Sequence, residues 1–301
     1  MRALTIGAFD GIHLGHRELF SNVKAIAAAQ GLTPAVLTFD PHPARIVAPE
    51  RAPKLITTID ERRQLIHSLG IAEVHVVPFT PALSLLTPEQ FVRQILLNQL
   101  HAKAVIVGAN FRFGHQQAGH IDTLTALGAA LDFTVHAAPV LSYRGRKVSS
   151  TVIRQAIASG NLSLANRLLG RPYSLSGTVV SGHGIGSKQT VPTLNLDAPA
   201  ELLPAYGVYI SRTRDLDSDR SWNSITNVGV RPTFSGDSLA IETFLLDPFD
   251  GQTPTKIKVQ FLRHVREERK FPSPEALKAQ ILTDVRRAQT YFRRTSQLNP
   301  C

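Results

Sequence analysis

Eight consecutive residues, Phe9-Asp10-Gly11-Ile12-His13-Leu14-Gly15-His16, constrain this chain more than any other stretch. They follow a short apolar run at 3–6 and precede a helix-like stretch that begins near Arg17. A strand, a glycine-bearing turn and a helix make an anion cradle. Main-chain N–H groups point out of the helix N-terminus, and the helix dipole favours negative charge there. Gly11 and Gly15 let the backbone approach a ligand closely, because no Cβ intervenes. His13 and His16 are three apart and face the same way at the mouth of a helical turn. Two imidazoles aimed at one phosphate stabilise charge that develops during reaction. No third ligand at metal-site spacing lies nearby in the sequence, which favours an anion over a metal centre.

The rest of the first half alternates strand-like and helix-like segments. Leu19, Phe20, Val23, Ile26 and Ala27 share one side of a helix that Gly31 terminates. Residues 34–39 read as a second buried strand. A helix carrying Arg62, Leu65, Ile66 and Leu69 runs from Asp60 to Gly70, and a third strand spans 73–77. Thr87-Pro88 reads as an N-cap followed by proline at the first helical position, opening a helix through Leu100. A strand at 104–107, a helix at 121–131 and a strand at 133–137 complete the series. Such alternation predicts an open parallel sheet, with ligands beyond the carboxyl ends of its strands. The opening motif lies there.

Three more clusters fall at comparable junctions. Thr38-Phe39-Asp40-Pro41-His42-Pro43 presents His42 on a proline-stiffened loop. Gly108-Ala109-Asn110-Phe111-Arg112-Phe113-Gly114 offers an amide, a guanidinium and two rings, a rim for a planar ligand or, for the phenylalanines, plugs in the core. Ser149, Ser150 and Thr151 lead a helix with Arg154 one turn in, either as plain caps or as a phosphate clamp.

The His-x-Gly-His motif with Ser-Ser-Thr-x-Ile-Arg resembles the nucleotidylyltransferase superfamily. The longer pattern, with Pro41-His42-Pro43 and Asn110-Phe111-Arg112-Phe113-Gly114, is similar to the N-terminal module of bacterial bifunctional riboflavin kinase/FMN adenylyltransferases (FAD synthetases). The resemblance implies a Rossmann-like α/β domain over 1–170.

Strand-like segments dominate after Gly170: residues 175–180, 208–212, 224–228, 240–246 and 257–262. Turn-formers separate them, which predicts a small antiparallel β-barrel over 171–301. A C-terminal helix at 274–294 has Leu277, Ile281, Val285, Ala288 and Phe292 on one face and a solvated basic face opposite. Asp215, Asp217, Asp219 and Arg220 read as a mobile hairpin tip. Three clusters carry potential chemistry. Gly182-His183-Gly184-Ile185-Gly186 is a loop able to wrap phosphates. Val191-Pro192-Thr193-Leu194-Asn195 presents a hydroxyl and an amide oxygen, either as an ST-turn entering a strand or as donors suited to Mg²⁺. Strand alternation puts Glu242 on the face opposite Ile241 and Thr243. Facing outward it would merely be solvated; facing inward it would be desolvated, as suits a base acting on a hydroxyl.

This half resembles the riboflavin kinase module of the same family. The matches are Gly170-Arg171-Pro172-Tyr173, the glycine loop, Pro192-Thr193-x-Asn195, Asn227-Val228-Gly229-Val230-Arg231-Pro232-Thr233-Phe234 and Glu242. Ser187-Lys188-Gln189-Thr190-Val191 departs from the family's usual glycine-containing wording. The resemblance implies two ATP-dependent reactions, riboflavin to FMN and FMN to FAD. It implies Glu242 as base, Thr193 and Asn195 on Mg²⁺, and Gly182, Gly184 and Gly186 on ATP in the kinase module. In the first module it implies His13, His16 and Arg154 as catalytic, Gly11, Gly15, Ser150 and Thr151 on ATP, and His42, Asn110, Phe111 and Arg112 near the flavin.

Lys plus Arg exceed Asp plus Glu by ten, spread over both halves, which suits anionic ligands. The dispersion, and the lack of a stacked-aromatic RNA motif in the strands, argue against a nucleic-acid binder. A further rival keeps only the adenylyltransferase, with a degenerate regulatory barrel. The single cysteine, Cys301, is compatible with a reducing compartment. With no membrane-length apolar run and no signal peptide expected, the sequence points to the cytoplasm. Nothing in it bears on oligomeric state.

Overall fold

A computed structural model describes residues 1–180, 193–218, 220–233, 236–249 and 251–298. Two compact units divide at Val152/Ile153.

The first unit is a five-stranded sheet of β1 (Arg2–Ile6), β2 (Thr33–Asp40), β3 (Glu73–Pro78), β4 (Ala102–Gly108) and β5 (Thr134–Ala138). Its order is β3-β2-β1-β4-β5 and every pairing is parallel. The chain crosses between strands through α1 (Leu14–Gln30), α2 (Ala44–Val47), α3 (Ile59–Ser68), α4 (Pro81–Ser84), α5 (Pro88–Phe91) and α6 (Ile121–Leu131). A small hairpin of β6 (Ser142–Tyr143) and β7 (Arg146–Lys147) follows. Both sheet faces are covered, which is why the strands read as continuous apolar runs. Ala3, Val36, Ala104 and Ile106 pack under Phe20 and Val23 of α1 and Ile66 of α3. Leu4, Leu37 and Val105 face Phe91, Leu96 and Leu124 on the other side.

The end signals match their residues. Gly31 caps α1 in the left-handed region at φ 62°. Thr87 forms a capping box with Gln90, although after one α-turn the helix continues over Val92–Gln99 with wider, π-type bonding.

In the second unit, α7 (Ser150–Ala158, beginning in the first unit) and α8 (Leu162–Leu169) lead into a closed barrel. Its strands are β8 (Tyr173–Val180), β9 (Thr193–Asp197), β10 (Gly207–Asp215), β11 (Ser221–Thr233), β12 (Gly236–Leu245) and β13 (Lys256–Glu267), and α9 (Pro274–Leu298) follows. The order is β10-β11-β12-β9-β8-β13, antiparallel throughout, closed by β13 against β10. Strand β9 lies where the sequence offered an ST-turn entering a strand or a set of Mg²⁺ donors, and it was not among the strands expected there. A Cβ on Gly177 of β8 would lie 1.9 Å from the carbonyl oxygen of Asp197, so closure at β8/β9 requires glycine there.

The barrel interior carries a hydroxyl ladder. Ser211 meets Ser224 at 2.8 Å and Thr226 at 2.7 Å, Thr213 meets Ser224 at 2.9 Å, and Thr226 meets Thr243 at 2.8 Å. All five are fully buried, and pairing with one another meets the requirement that buried polar groups be satisfied. On the outside, Val208, Ile210 and Ile225 pack under Ala288 and Phe292 of α9.

The acidic stretch beginning at Asp215 forms the tip of the β10–β11 hairpin, as expected, and its first carboxylate is buried. The Asp215 carboxylate is 1% exposed and accepts from the Asp217 N–H at 2.9 Å, Ser218 Oγ at 2.6 Å and Arg220 Nη2 at 2.9 Å. Burial alone would raise its pKa, but those donors and the Arg220 charge outweigh it and hold the carboxyl below its usual range. Asp219 lies outside the described residues.

Candidate functional sites

The strand order reverses between β1 and β4, so their carboxyl ends flank the topological switch point. The opening motif leaves β1 there, and the loop carrying Asn110 leaves β4 beside it. The backbone of the motif is under strain. Phe9 and Ile12 sit at φ 48° and 40°, and Gly11 at φ 81°. Non-glycine residues persist in that region only where surroundings enforce it, commonly at functional sites.

Those surroundings are a latch from a distant segment. The Asp10 carboxylate, 2% exposed, accepts the N–H groups of Ile56 (3.0 Å) and Thr57 (3.1 Å) and the Thr57 hydroxyl (3.1 Å). Buried Arg62 lies 3.9 Å from the same carboxylate. Thr57 Oγ1 in turn accepts the Gly11 N–H at 3.1 Å. Gly11 therefore supplies the turn rather than an anion donor, and a Cβ there would meet Ile56 at 3.0 Å.

Helix α1 starts at Leu14, three residues earlier than the sequence suggests, with His13 as its N-cap. His13 Nδ1 accepts the His16 N–H at 3.3 Å, which puts the proton of the neutral ring on Nε2. The two imidazoles stack at 3.5 Å, and Phe9 meets His16 edge-on at 5.2 Å. Gly15 makes room for that pair: a Cβ would come within 3.2 Å of the His13 ring.

The late motif joins the early one. Ser150 Oγ donates to the Asp10 carbonyl at 2.9 Å, while Ser149 Oγ accepts the Val152 N–H at 3.4 Å as a helix cap. Thr151 is exposed, and half-buried Arg154 stands one turn along α7 from Ser150. On the neighbouring loops, His42 Nδ1 accepts the Ala44 N–H at 3.2 Å. Asn110 and Arg112 are exposed. Phe113 is buried in the core, and half-buried Phe111 stacks on it at 5.4 Å. One ring is thus a core plug and the other is its partly open cover.

In the barrel, Ile241, Thr243 and Leu245 point inward and are buried, which turns Glu242 and Phe244 outward. Glu242 is nevertheless only half-exposed. Its cross-strand partner on β9 is Asn195, and Phe244 faces Thr193. Thr193 and Asn195 alternate with buried Leu194 and Leu196, so both share the outer face with Glu242. On the other side of Glu242 stands Asn227 of β11. Gly182, Gly184, Gly186 and residues 187–192 lie outside the described residues.

The sequence reading missed the Asp10–Thr57 latch. Its one advance signal was Arg62, an arginine in the apolar stripe of α3, where burial demands an anionic or carbonyl partner. Among the described residues, no three His, Cys, Asp or Glu side chains cluster as metal ligands. Among the same residues no helix is long and apolar enough to cross a membrane.

A strained, glycine-bearing turn at the switch point of a parallel sheet, on one chain with a closed antiparallel barrel, is the architecture of a two-module transferase, and the comparisons with known proteins agree. The FAD synthetase family model matches residues 1–152, and the riboflavin kinase family model matches residues 169–292. Relatives named bifunctional riboflavin kinase/FMN adenylyltransferase include one from Buchnera aphidicola subsp. Acyrthosiphon pisum, 35% identical over 96% of this chain and 93% of that protein. Others are from Pseudomonas fluorescens (35%, covering 95% and 91%) and Escherichia coli K12 (33%, covering 96% and 92%). A crystal structure of a macrolide-efflux protein from Streptococcus pneumoniae is similar with a TM-score of 0.85 at 28% identity, covering 96% of this chain and 94% of that one. The chain belongs to the bifunctional riboflavin kinase/FMN adenylyltransferase family.

Proposed function

We propose that the barrel phosphorylates riboflavin to FMN and that the sheet unit adenylylates FMN to FAD, each with ATP, in the cytoplasm. The observation that carries the kinase assignment is the register that sets Thr193, Asn195 and Glu242 on one face of β9 and β12. In this reading the Glu242 carboxylate takes the proton of the ribityl 5′-hydroxyl as that oxygen bonds to the γ-phosphorus of ATP. The bond to the β-phosphate oxygen breaks, and ADP leaves. Thr193 and Asn195 offer neutral oxygen donors beside a single carboxylate. That set fits a Mg²⁺ ion arriving with nucleotide phosphates better than a preformed protein cage. When bound there, the ion would neutralise phosphate charge. Gly182, Gly184 and Gly186 are assigned to the ATP phosphates by resemblance alone.

For the adenylyltransferase, the carrying observation is the strained β1 turn, which leads into a helix capped by His13, whose ring stacks on His16. An oxygen of the FMN phosphate attacks the α-phosphorus of ATP and pyrophosphate departs, with no covalent enzyme intermediate. His13, His16 and the first N–H groups of α1 stabilise the charge on the reacting phosphorus. Ser150 braces the turn through the Asp10 carbonyl, while Thr151 and Arg154 serve the departing pyrophosphate. Gly11 and Gly15 shape the cradle. His42, Asn110, Phe111 and Arg112 are assigned to the flavin side. We assign residues 1–170 to this activity and 171–301 to the kinase, with α7 and α8 as the connecting stretch.

Chromatography of products tests the reading. Riboflavin with Mg²⁺–ATP should give FMN and then FAD, and FMN with Mg²⁺–ATP should give FAD. FAD formed from FMN alone, with riboflavin untouched, would leave the barrel a non-kinase module.

A further inference from the structure

Across β9, β12, β11 and β10 the register aligns Asn195, Glu242, Asn227 and Val208 in one row on the outer barrel face. Directly opposed residues on antiparallel strands share a face and stand about 5 Å apart. The row changes character along its length. One end is Asn195, assigned above to the phosphate donor. The other is Val208, 5% exposed in the apolar cluster beneath Ala288 and Phe292 of α9. Between Glu242 and that apolar end sits Asn227, half-buried, and its carboxamide makes no hydrogen bond among the described residues. A half-buried amide with an unused donor and acceptor, next to a base, matches a ligand group that also both donates and accepts. An alcohol is such a group.

The polarity of the row orients the acceptor. Its phosphate-receiving end lies toward Asn195 and its apolar ring system toward α9. The polyol chain between them then passes Glu242 first and Asn227 next. We infer that Asn227 is a specificity-determining residue of the kinase, hydrogen-bonding the ribityl hydroxyl adjacent to the one phosphorylated. This inference rests on the assignment of Glu242 and Asn195 above. A site built to bond a hydroxyl rejects an analogue lacking it, because its own polar group is then left unpaired.

The test compares riboflavin with 4′-deoxyriboflavin, which keeps the 5′-hydroxyl and lacks its neighbour, on the full-length chain. The wild type should phosphorylate the deoxy analogue with kcat/KM lower by about 10- to 100-fold, the range expected for a lost buried hydrogen bond. Asn227→Ala should lose a similar factor on riboflavin and change less than about threefold on the analogue, so that discrimination collapses. Equal losses on both substrates, in Asn227→Ala and again in Asn227→Ser, would overturn the inference, as would discrimination that survives the substitution. Glu242→Gln is run alongside. It should fall on both substrates alike, and full activity there would remove the base assignment while the substrate–Asn227 coupling is read separately.

Discussion

Asp10→Ala is the sharpest perturbation of the first unit, because one buried carboxylate holds a distant segment against the opening motif. Its removal deletes three hydrogen bonds to a charged acceptor, from the Ile56 and Thr57 N–H groups and the Thr57 hydroxyl. It also deprives Arg62, itself 2% exposed, of its anionic neighbour. Hydrogen bonds to charged groups are worth about 1.5–3 kcal/mol singly and do not add, since the three share one acceptor. Breaking a buried charge pair costs about 3–5 kcal/mol, and that range bounds the combined loss. For a unit of 152 residues, each kcal/mol lowers Tm by roughly 2–4 °C, so a shift of about 10 °C is expected. Calorimetry of the full chain should show the transition of the sheet unit moved down and that of the barrel in place. FAD formation measured below the shifted transition should also fall, because the Thr57 hydroxyl that holds the Gly11 N–H loses its own anchor. FMN formation should not change. A shift under about 3 °C, or parallel loss of both activities, would refute the latch.

Four further outcomes follow from the same geometry. His16→Ala should abolish FAD formation while FMN still accumulates from riboflavin, and Glu242→Gln should do the reverse. Loss of both activities in either folded variant would contradict two separate sites. Burial pushes the Tyr209 phenol up to about 12 from its ordinary value near 10. Between those values the unfolded chain gives up a proton that the folded chain retains, so barrel stability should decline as pH rises from about 10 to 12. Tyr209→Phe should flatten that decline and cost only about 1 kcal/mol at neutral pH, for the hydrogen bond to the Ala205 carbonyl. Denaturant midpoints across that pH range decide it, and an unchanged alkaline slope in the variant would exclude Tyr209. Gly177→Ala should separate β8 from β9, and native-state hydrogen exchange should show protection lost along both strands.

Much of the architecture was written locally. The apolar runs, the Gly31 and Thr87 signals and the switch from alternating elements to successive strands need only neighbouring residues to be read, and each marks its element in the structure. The site motifs were legible for the same reason, since an N-terminal histidine pair and a glycine turn act within one helical turn. Strand β9 was harder because five residues after a proline resemble a turn until β12 pairs with them. The burial of Asp215 was not legible, because it depends on a turn that wraps one carboxylate.

The sequence alone determined which chemistry was on offer: a histidine pair at a helix start, hydroxyls leading a later helix, and one glutamate in an apolar strand. Tertiary structure decided what each group is worth. It put Thr57 against Asp10, 47 positions earlier, and tied Ser150 to Asp10 across 140 positions. It also set Glu242 between two asparagines from different strands. Local patterns report a residue's own conformational preference. Partners at such separations are set by how the sheet and barrel close, and no spacing in the sequence encodes that.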